Sequence, residues 1–222
     1  MGMRPVVKMV SFPSAEDAIP LEGRLSCDPQ RPSAPGIVLC HPHPLYGGSM
    51  DNNVVSALMG ALSQEGYVTL AFNCRGVGRS QGRYEEGEGE VRDVQGAIRF
   101  LGGLPQTAGC GLGLWGYSFG AWVGMRGALR EERVFFLGAV APPTALYSFE
   151  FLVDSVRPVY FISGDEDPFC PVSAREPLLS KLKGPKEWKI LSGADHFFWG
   201  QEGEMARFAC EASGKHLSLR GS

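Results

Sequence analysis

Residues 111–129 read GLGLWGYSFGAWVGMRGAL, and the order of patterns in this stretch indicates the fold class. Residues 111–115 form a short apolar run typical of a buried strand, and residues 119–129 have the apolar spacing of a helix. Between them, GYSFG at 116–120 matches the pattern G-x-S-x-G. The pattern alone is weakly specific in a chain with 30 glycine residues. Its place between a strand and a helix, however, predicts a sharp turn that lifts the hydroxyl of Ser118 clear of the sheet, as a nucleophile requires.

Short β-rich runs alternate with helical runs along the rest of the chain. This alternation predicts an α/β fold whose mostly parallel central sheet has helices on both faces. Besides the strand and helix named above, we expect strands at residues 6–12, 19–25, 36–40, 68–72, 134–140, 159–163 and 188–191. We expect further helices at residues 52–64, 91–101, 172–182 and 202–212. The first two strands should pair as an N-terminal ribbon, and the glycine-rich residues 76–89 should form a mobile loop.

The length and composition indicate an ordinary globular protein. With 222 residues, no long linker and no internal repeat, residues 1–222 are expected to form a single domain. Hydrophobic residues make up 44% and charged residues 20% of the chain, which excludes a disordered protein. The net charge of −3 argues against a nucleic-acid partner.

The sequence also argues against a membrane partner and a metal site. No apolar run approaches the roughly 18 residues needed to cross a bilayer, and the N-terminus lacks the apolar centre of an export signal. The six cysteines are widely spaced and form no C-x-x-C pair. We therefore expect free thiols, a cytoplasmic location, no membrane partner and no zinc site.

A serine hydroxyl is a weak nucleophile at neutral pH and needs a base. Where such a turn carries the nucleophile, the chain order is serine, acid, histidine. Two histidines follow Ser118, namely His196 and His216. His216 lies near the C-terminus, where we expect a solvated side chain. His196 follows the strand predicted at 188–191, and the carboxyl end of a strand is where such a site belongs. We therefore predict that His196 is the base.

The acid has to lie between the serine and the histidine. Asp195 adjoins the histidine and can hardly reach back to its ring. Asp154 precedes the next predicted strand and so lies at the wrong edge of the sheet. Asp165 and Asp167 both follow that strand at its carboxyl end. Spacing alone leaves these two open, and the one that is not the acid is expected to cap a turn.

Three short patterns are compatible with metal, dinucleotide or phosphate binding, but the sequence around each of them argues against that function. His41-Pro42-His43 has metal-ligand spacing, but no carboxylate cluster completes a ligand set. GLGLWG at 111–116 matches G-x-G-x-x-G, but its glycines fall inside the predicted strand rather than after it. RGVGR at 75–79 lacks the Gly-Lys-Ser/Thr ending of a phosphate-binding loop. We therefore expect neither a cofactor nor a metal.

In this order, the motifs of the chain resemble those of the α/β-hydrolase superfamily, in particular its small capless members of bacterial type. The matching segments are HPHPLYGG at 41–48, NCRGVGRS at 73–80, GYSFG at 116–120, residues 165–171 and ADHFF at 194–198. The resemblance extends from about residue 37 to residue 208. It implies the α/β-hydrolase fold without a large cap domain, and it does not specify a substrate.

The resemblance also implies roles for particular residues. In the Gly-Asp-x-Asp-Pro pattern of the family the second aspartate is the acid, which favours Asp167 and keeps Asp165 as the fallback. The implied catalytic triad is Ser118, Asp167 and His196. In such a triad the serine attacks a carbonyl, the histidine moves the proton, and the aspartate orients the histidine ring.

The oxyanion that forms during such an attack needs two N–H donors. One is the backbone N–H of Phe119, directly after the nucleophile. The other comes from the loop after the third predicted strand, where Pro42 and Pro44 have no N–H. The resemblance favours His43, which aligns with the residue after the His-Gly pair of the family, and Leu45 is the reserve.

The spacing of the later strands restricts the substrate. Lids in this superfamily are often inserted in the segment that corresponds to residues 141–158, which is too short here for a cap domain. We expect an open, shallow site for small soluble esters with short acyl chains rather than for long-chain lipids. The expected apolar walls are Leu45, Tyr46, Tyr117 and Phe197, flanked by Phe119, Phe169, Phe198 and Trp199.

The resulting hypothesis is a serine carboxylic-ester hydrolase that works through an acyl-enzyme on a small-molecule ester. A thioesterase or protein deacylase with the same triad stays open, since it passes through the same intermediate. A non-catalytic binding protein of this fold is the alternative from another class. A peptidase ranks below these, because no domain is available to grip a peptide. The natural substrate, the leaving group and the oligomeric state do not follow from the sequence; an exposed edge strand can pair subunits, but no residue pattern requires it.

Overall fold

The computed structural model of the chain describes residues 5–218. Its strands are β1 (Val6–Pro13), β2 (Pro20–Cys27), β3 (Gly36–Cys40), β4 (Val68–Phe72), β5 (Leu112–Tyr117), β6 (Val134–Val140), β7 (Val159–Gly164) and β8 (Lys186–Leu191). Its helices are α1 (Asn53–Glu65), α2 (Glu88–Gly102), α3 (Phe119–Ala128), α4 (Val172–Lys181) and α5 (Glu202–Gly214). The strands form one eight-stranded sheet in the order β1-β2-β4-β3-β5-β6-β7-β8.

The N-terminal ribbon is the antiparallel part of the sheet. β1 pairs with β2 and β2 pairs with β4 in antiparallel register, whereas the pairs that follow, from β4 to β8, are parallel. The predicted α/β class and mostly parallel sheet are confirmed. Because the strands from β3 onward run in one direction, their carboxyl ends meet at one edge of the sheet. The loops that contain the predicted site residues start at this edge.

The core consists of one apolar layer on each face of the sheet. Helices α2 and α3 cover one face through side chains that include Val94 and Val123, and α1 and α5 cover the other through Leu58 and Ala209. β3, β4 and β5 are buried along their whole length. Strands covered by helices on both faces need apolar side chains on both, which explains their continuous apolar runs. Among residues 5–218, no helix combines the length and the apolar composition that a membrane span requires.

Predicted and observed elements differ mainly at their ends. β8 begins earlier than predicted, at Lys186, because this edge strand opens with exposed charged residues that give no apolar signal. α2 also begins earlier, at Glu88. The carboxylate of Glu90 accepts a hydrogen bond from the backbone N–H of Gly87 at 2.8 Å and so caps the first turn.

The segment predicted to be a mobile loop is tied at its start by a buried arginine. The side chains of Arg75 and of Asp93, which belongs to α2, are both fully buried. Nη2 of the arginine lies 2.8 Å from Oδ1 of the aspartate. The same Nη2 lies 3.0 Å from a carboxylate oxygen of Asp17, in the connection between β1 and β2. Residues 76–87 do lack helix and strand. The ion pairs, however, fix the beginning of this loop between the N-terminal ribbon and α2.

Replacing Asp93 with asparagine should lower the free energy of unfolding by about 3 kcal/mol, because the buried guanidinium of Arg75 then loses its main counter-charge. Urea unfolding of the wild type and the variant measures the difference. The matched control is Glu187→Gln, which breaks an exposed ion pair with Lys215 and should cost less than about 1 kcal/mol. Equal losses in the two variants would contradict the anchoring role of the buried pair.

Candidate active site

Ser118 lies at the turn between β5 and α3, with φ 55° and ψ −123°. A positive φ is strained for a residue with a side chain. A Cβ atom on Gly116 would lie 2.3 Å from the carbonyl oxygen of Gly120, and a Cβ atom on Gly120 would lie 2.3 Å from the carbonyl oxygen of His41. The strand, the helix and the loop after β3 therefore approach too closely for side chains at these two positions. This crowding is the physical reason for both glycines of the G-x-S-x-G pattern.

The structure brings together the three residues that the sequence and its resemblance single out. Nε2 of His196 lies 2.9 Å from Oγ of Ser118. Nδ1 of the same ring lies 2.9 Å from Oδ2 of Asp167. The Asp167 side chain is fully buried, and its second oxygen accepts the backbone N–H of Phe169 at 2.8 Å. The serine follows β5, the aspartate follows β7 and the histidine follows β8. Residues at the ends of three separate strands therefore form one continuous series of contacts.

The other candidates have different partners. Asp165 accepts the backbone N–H of Gly193 at 2.7 Å, which stabilises the turn before the histidine. Asp195 caps the turn after the histidine through its Oδ1. His216, for which a solvated side chain is expected, is instead half-buried, and its Nε2 lies 2.6 Å from the hydroxyl of Tyr160. Its position near the C-terminus gives no sign of this contact.

The loop after β3 is held by the buried imidazole of His41. Its Nδ1 lies 2.6 Å from the carbonyl oxygen of Pro42, and its Nε2 accepts the backbone N–H of Cys74 at 3.0 Å. Burial lowers the pKa of His41 to about 4. The ring is therefore neutral, with the proton on Nδ1. Because both nitrogens are engaged with the backbone, His41 joins the loop after β3 to the loop after β4.

The two predicted oxyanion donors have free N–H groups. Within residues 5–218, the backbone N–H groups of Phe119 and His43 donate to no backbone or side-chain acceptor. The N–H of the reserve candidate, Leu45, donates to Nδ1 of His43 at 3.2 Å. The other ring nitrogen of His43 lies 3.2 Å from the hydroxyl of Tyr84. This arrangement favours His43 over Leu45, and the assignment stays a prediction.

The predicted mouth of the site consists mainly of exposed apolar side chains. Three of the four predicted wall residues project into solvent: Leu45 is 66%, Tyr46 88% and Phe197 49% exposed. Trp199, which flanks them, is 70% exposed. A rim of this kind suits contact with an apolar ligand.

The prediction that Tyr117 is an exposed wall residue is wrong. Tyr117 is only 1% exposed, because it belongs to β5, which is buried on both faces. Its hydroxyl donates to the backbone carbonyl of His196 at 3.0 Å. Burial raises the pKa of the Tyr117 hydroxyl well above its usual value, so it remains a donor. Tyr117 therefore holds the histidine loop in place from beneath.

The connection between β6 and β7 contributes no cap domain. It contains one short 3₁₀ turn, Glu150–Leu152. Tyr147 of this connection stacks on Trp122 of α3, with ring centroids 4.5 Å apart, and also contacts the ring of Phe119. The segment thus packs against α3 beside the nucleophile. Tyr84 and Tyr147 are site neighbours that sequence reasoning misses, because neither lies in a motif or in a periodic element.

The sheet order, the turn at Ser118 and the short β6–β7 connection define an α/β hydrolase without a lid. Residues 24–153 match the family described as X-Pro dipeptidyl-peptidase (S15 family). The chain belongs to this family of α/β hydrolases.

The similar proteins support the same class. An uncharacterized protein from Rickettsia prowazekii (strain Madrid E) is 37% identical over 186 residues, which cover 80% of this chain and 77% of that protein. An α/β serine hydrolase homologue from Coxiella burnetii is 32% identical with a TM-score of 0.79, over 96% of this chain and 98% of that one. An α/β serine hydrolase without lid from Xanthomonas campestris is 25% identical with a TM-score of 0.85, over 97% of each chain. The expected superfamily and capless architecture are confirmed.

Acidification should destabilise the protein through His41. An unfolded histidine titrates near pH 6.5, whereas His41 has a pKa of about 4 in the fold. The stability that the neutral ring supplies above pH 6.5 is therefore lost as the pH falls toward 4. His41→Gln should remove about 2 kcal/mol of this pH dependence, measured by urea unfolding at pH 7 and near pH 4.5. The control His216→Gln should retain it; identical pH dependence in the wild type and His41→Gln would contradict the assignment.

Removing the hydroxyl of Tyr117 should displace the histidine loop. We expect Tyr117→Phe to cost about 1 kcal/mol of stability and to slow labelling of Ser118 by a serine-reactive organophosphonate about tenfold. The matched control is Tyr67→Phe, which removes a buried hydroxyl bond to the carbonyl of Leu217. It should cost similar stability and leave the labelling rate unchanged. Equal labelling rates in both variants would show that Tyr117 has no positioning role.

Proposed function

We propose that this chain is a serine hydrolase that cleaves short-chain carboxylic esters through an acyl-enzyme, with Ser118, His196 and Asp167 as its triad. The observation that carries the proposal is the unbroken line from Oγ through the imidazole to the buried carboxylate, with 2.9 Å at each step. Oδ2 of Asp167 accepts a hydrogen bond from the Nδ1–H of His196, which leaves the lone pair of Nε2 directed at the serine hydroxyl. This is the tautomer that a general base needs.

In the proposed reaction, Oγ of Ser118 attacks the carbonyl carbon of the ester while Nε2 of His196 takes its proton. Asp167 stabilises the imidazolium that forms. The histidine then passes the proton to the departing alcohol, and the acyl group remains on the serine. In the second half, a water molecule attacks the acyl-enzyme with the same histidine as base, which releases the acid and regenerates the serine.

The negative charge that develops on the carbonyl oxygen needs preorganised donors. The N–H groups of Phe119 and His43 are proposed for this role, since both lack an acceptor among residues 5–218. Phe119 is also the first residue of α3, so the partial positive charge at the helix N-terminus adds to the stabilisation. His43 is uncharged at neutral pH because partial burial lowers its pKa, and its side chain is occupied by Leu45 and Tyr84.

The open mouth supports a small ester as the substrate. Leu45, Tyr46, Phe197 and Trp199 offer apolar contact area, and the β6–β7 connection does not extend over them as a cap domain. Long acyl chains need a larger covered apolar surface, so we propose acyl groups of a few carbons. The six cysteines are free, which is consistent with the reducing cytoplasm as the proposed compartment.

Two other acyl-transfer reactions use the same three residues. A thioesterase or protein deacylase differs in the leaving group and not in the intermediate. The family description favours a further candidate, cleavage after an Xaa-Pro dipeptide. An acyl-thioester and an Xaa-Pro substrate are therefore included in the test below.

The test is hydrolysis of p-nitrophenyl acetate, butyrate, octanoate and palmitate by the wild type and by Ser118→Ala. We expect activity on the short esters and a loss of at least about 10³-fold in the variant, as for removal of a triad nucleophile. Ser180→Ala, at an exposed serine of α4, is the matched control and should match the wild type. An acyl-thioester and an Xaa-Pro-p-nitroanilide are assayed in parallel.

Each outcome has a distinct meaning. Palmitate as the preferred ester would contradict the short-chain proposal. Hydrolysis of the nitroanilide or the thioester alone would replace the ester by that substrate class. Folded wild-type protein that neither hydrolyses any of these nor reacts with an organophosphonate would indicate a binding protein.

A further inference from the structure

Arg175 is a buried cation next to the loop that contains Asp167. It is the fourth residue of α4 and is 2% exposed. Its guanidinium donates three hydrogen bonds, and all of them end on backbone carbonyl oxygens. Nη2 contacts the oxygen of Gly164 at 2.6 Å and that of Cys170 at 2.9 Å, and Nε contacts the oxygen of Cys170 at 3.1 Å.

A charge in this position is costly. Burial of a cation is usually offset by a carboxylate partner, whereas the three hydrogen bonds of Arg175 go to backbone carbonyl groups, and within residues 5–218 its Nη1 has no hydrogen-bond partner. A cation near the N-terminus of a helix also opposes the helix dipole. The guanidinium lies near the face of Trp188, with 5.9 Å between its central carbon and the ring centroid. An apolar side chain would fill this space at a lower electrostatic cost, so the hydrogen bonds of the arginine are its distinguishing contribution.

These hydrogen bonds join the two ends of the acid loop. Gly164 is the last residue of β7, and Cys170 precedes the start of α4, so Asp167 lies midway between them. Inside the loop, the backbone N–H of Cys170 donates to the carbonyl oxygen of Asp167 at 3.2 Å. That bond shapes the turn but does not fix it to β7. The backbone N–H groups of Asp165 and Glu166 tie the first half of the loop to the β8 side, through the carbonyl oxygens of Leu191 and Ala194. Arg175 adds a direct connection between the two ends of the loop.

We propose that Arg175 is the positioning residue for Asp167: it clamps the carbonyl groups at both ends of loop 164–170 and so keeps the carboxylate within 2.9 Å of the His196 ring. This inference depends on the proposed function only in the part of its test that measures catalytic activity. Arginine suits the task because its planar fork reaches two carbonyl groups at once, whereas a lysine ammonium is a single point on a flexible stem.

The test compares Arg175→Lys and Arg175→Gln with the wild type. We expect both variants to lose about 10- to 100-fold in kcat on p-nitrophenyl butyrate, since a catalytic group displaced by about 1 Å costs about that much. The KM should change less than twofold, because Arg175 does not reach the mouth. The downfield proton NMR signal of the His196–Asp167 hydrogen bond should broaden or disappear in both variants.

The matched control is Arg133→Lys. Arg133 also donates to several backbone carbonyls, those of Gly102, Thr107 and Cys110, but it precedes β6 at the opposite edge of the sheet. This variant should lose stability and keep both the kcat and the NMR signal. A third variant, Arg175→Ala, creates space for a free guanidinium ion. Millimolar guanidinium should then restore part of its kcat, and it should not affect Arg133→Lys.

The outcomes separate the two proposals. If Arg175→Lys retains wild-type kcat and an unchanged downfield signal, the positioning role is overturned while the proposed function stands. If the wild type hydrolyses no ester, the proposed function fails, and the NMR comparison alone decides on Arg175. If Arg175→Gln does not fold, Arg175→Lys, which keeps the charge and most of the volume, gives the answer by the same two readouts.

Discussion

The site depends on the close contact between the first turn of α3 and the end of β3. A glycine at 120 lets the helix backbone lie against the carbonyl oxygens of Cys40 and His41. This approach forces the positive φ of Ser118 and turns its hydroxyl toward the histidine loop. It also brings the N–H groups at the start of α3 next to the loop after β3. A single methyl group in this contact would separate the nucleophile from the loop proposed to supply the second oxyanion donor.

Buried polar side chains then fix each surrounding loop to the sheet. His41 joins the loop after β3 to Cys74, Arg75 joins the loop after β4 to α2, and Arg175 spans the loop after β7. In each case a long or aromatic side chain hydrogen-bonds groups outside its own turn of the chain. Buried backbone groups of loops need partners, and such side chains can supply them. These contacts give such loops defined positions without a covering domain.

The sequence predicts the sheet, its helices, Ser118 and His196 from local signals, whereas Asp167 is favoured only by the family resemblance. Apolar runs mark buried strands, and strand–turn–helix context marks the serine. The chain order then selects His196. Asp165 and Asp167 cannot be distinguished by local sequence, since both follow β7. Only the three-dimensional contacts show that Asp165 binds the backbone of Gly193 and Asp167 the imidazole of His196. Tyr117 looks like a wall from its place beside the serine, yet β5 is covered on both faces, so its ring lies in the core. Tyr84 contacts His43 across 41 residues, and Arg175 lies in a helix whose sequence gives no indication that its side chain turns back to the loop before it.

The rim at Leu45, Tyr46, Phe197 and Trp199 differs from everything beneath it, because these side chains extend into water and little packs on them. Substitutions at such positions usually change stability by only a few tenths of a kcal/mol, in contrast to those in the crowded turn below. The protein therefore combines a tightly packed turn, which tolerates few side chains, with exposed positions that tolerate many. New ligand preferences can arise at the rim through single replacements while the fold remains intact, so this scaffold is well suited to diversification by drift or by directed evolution.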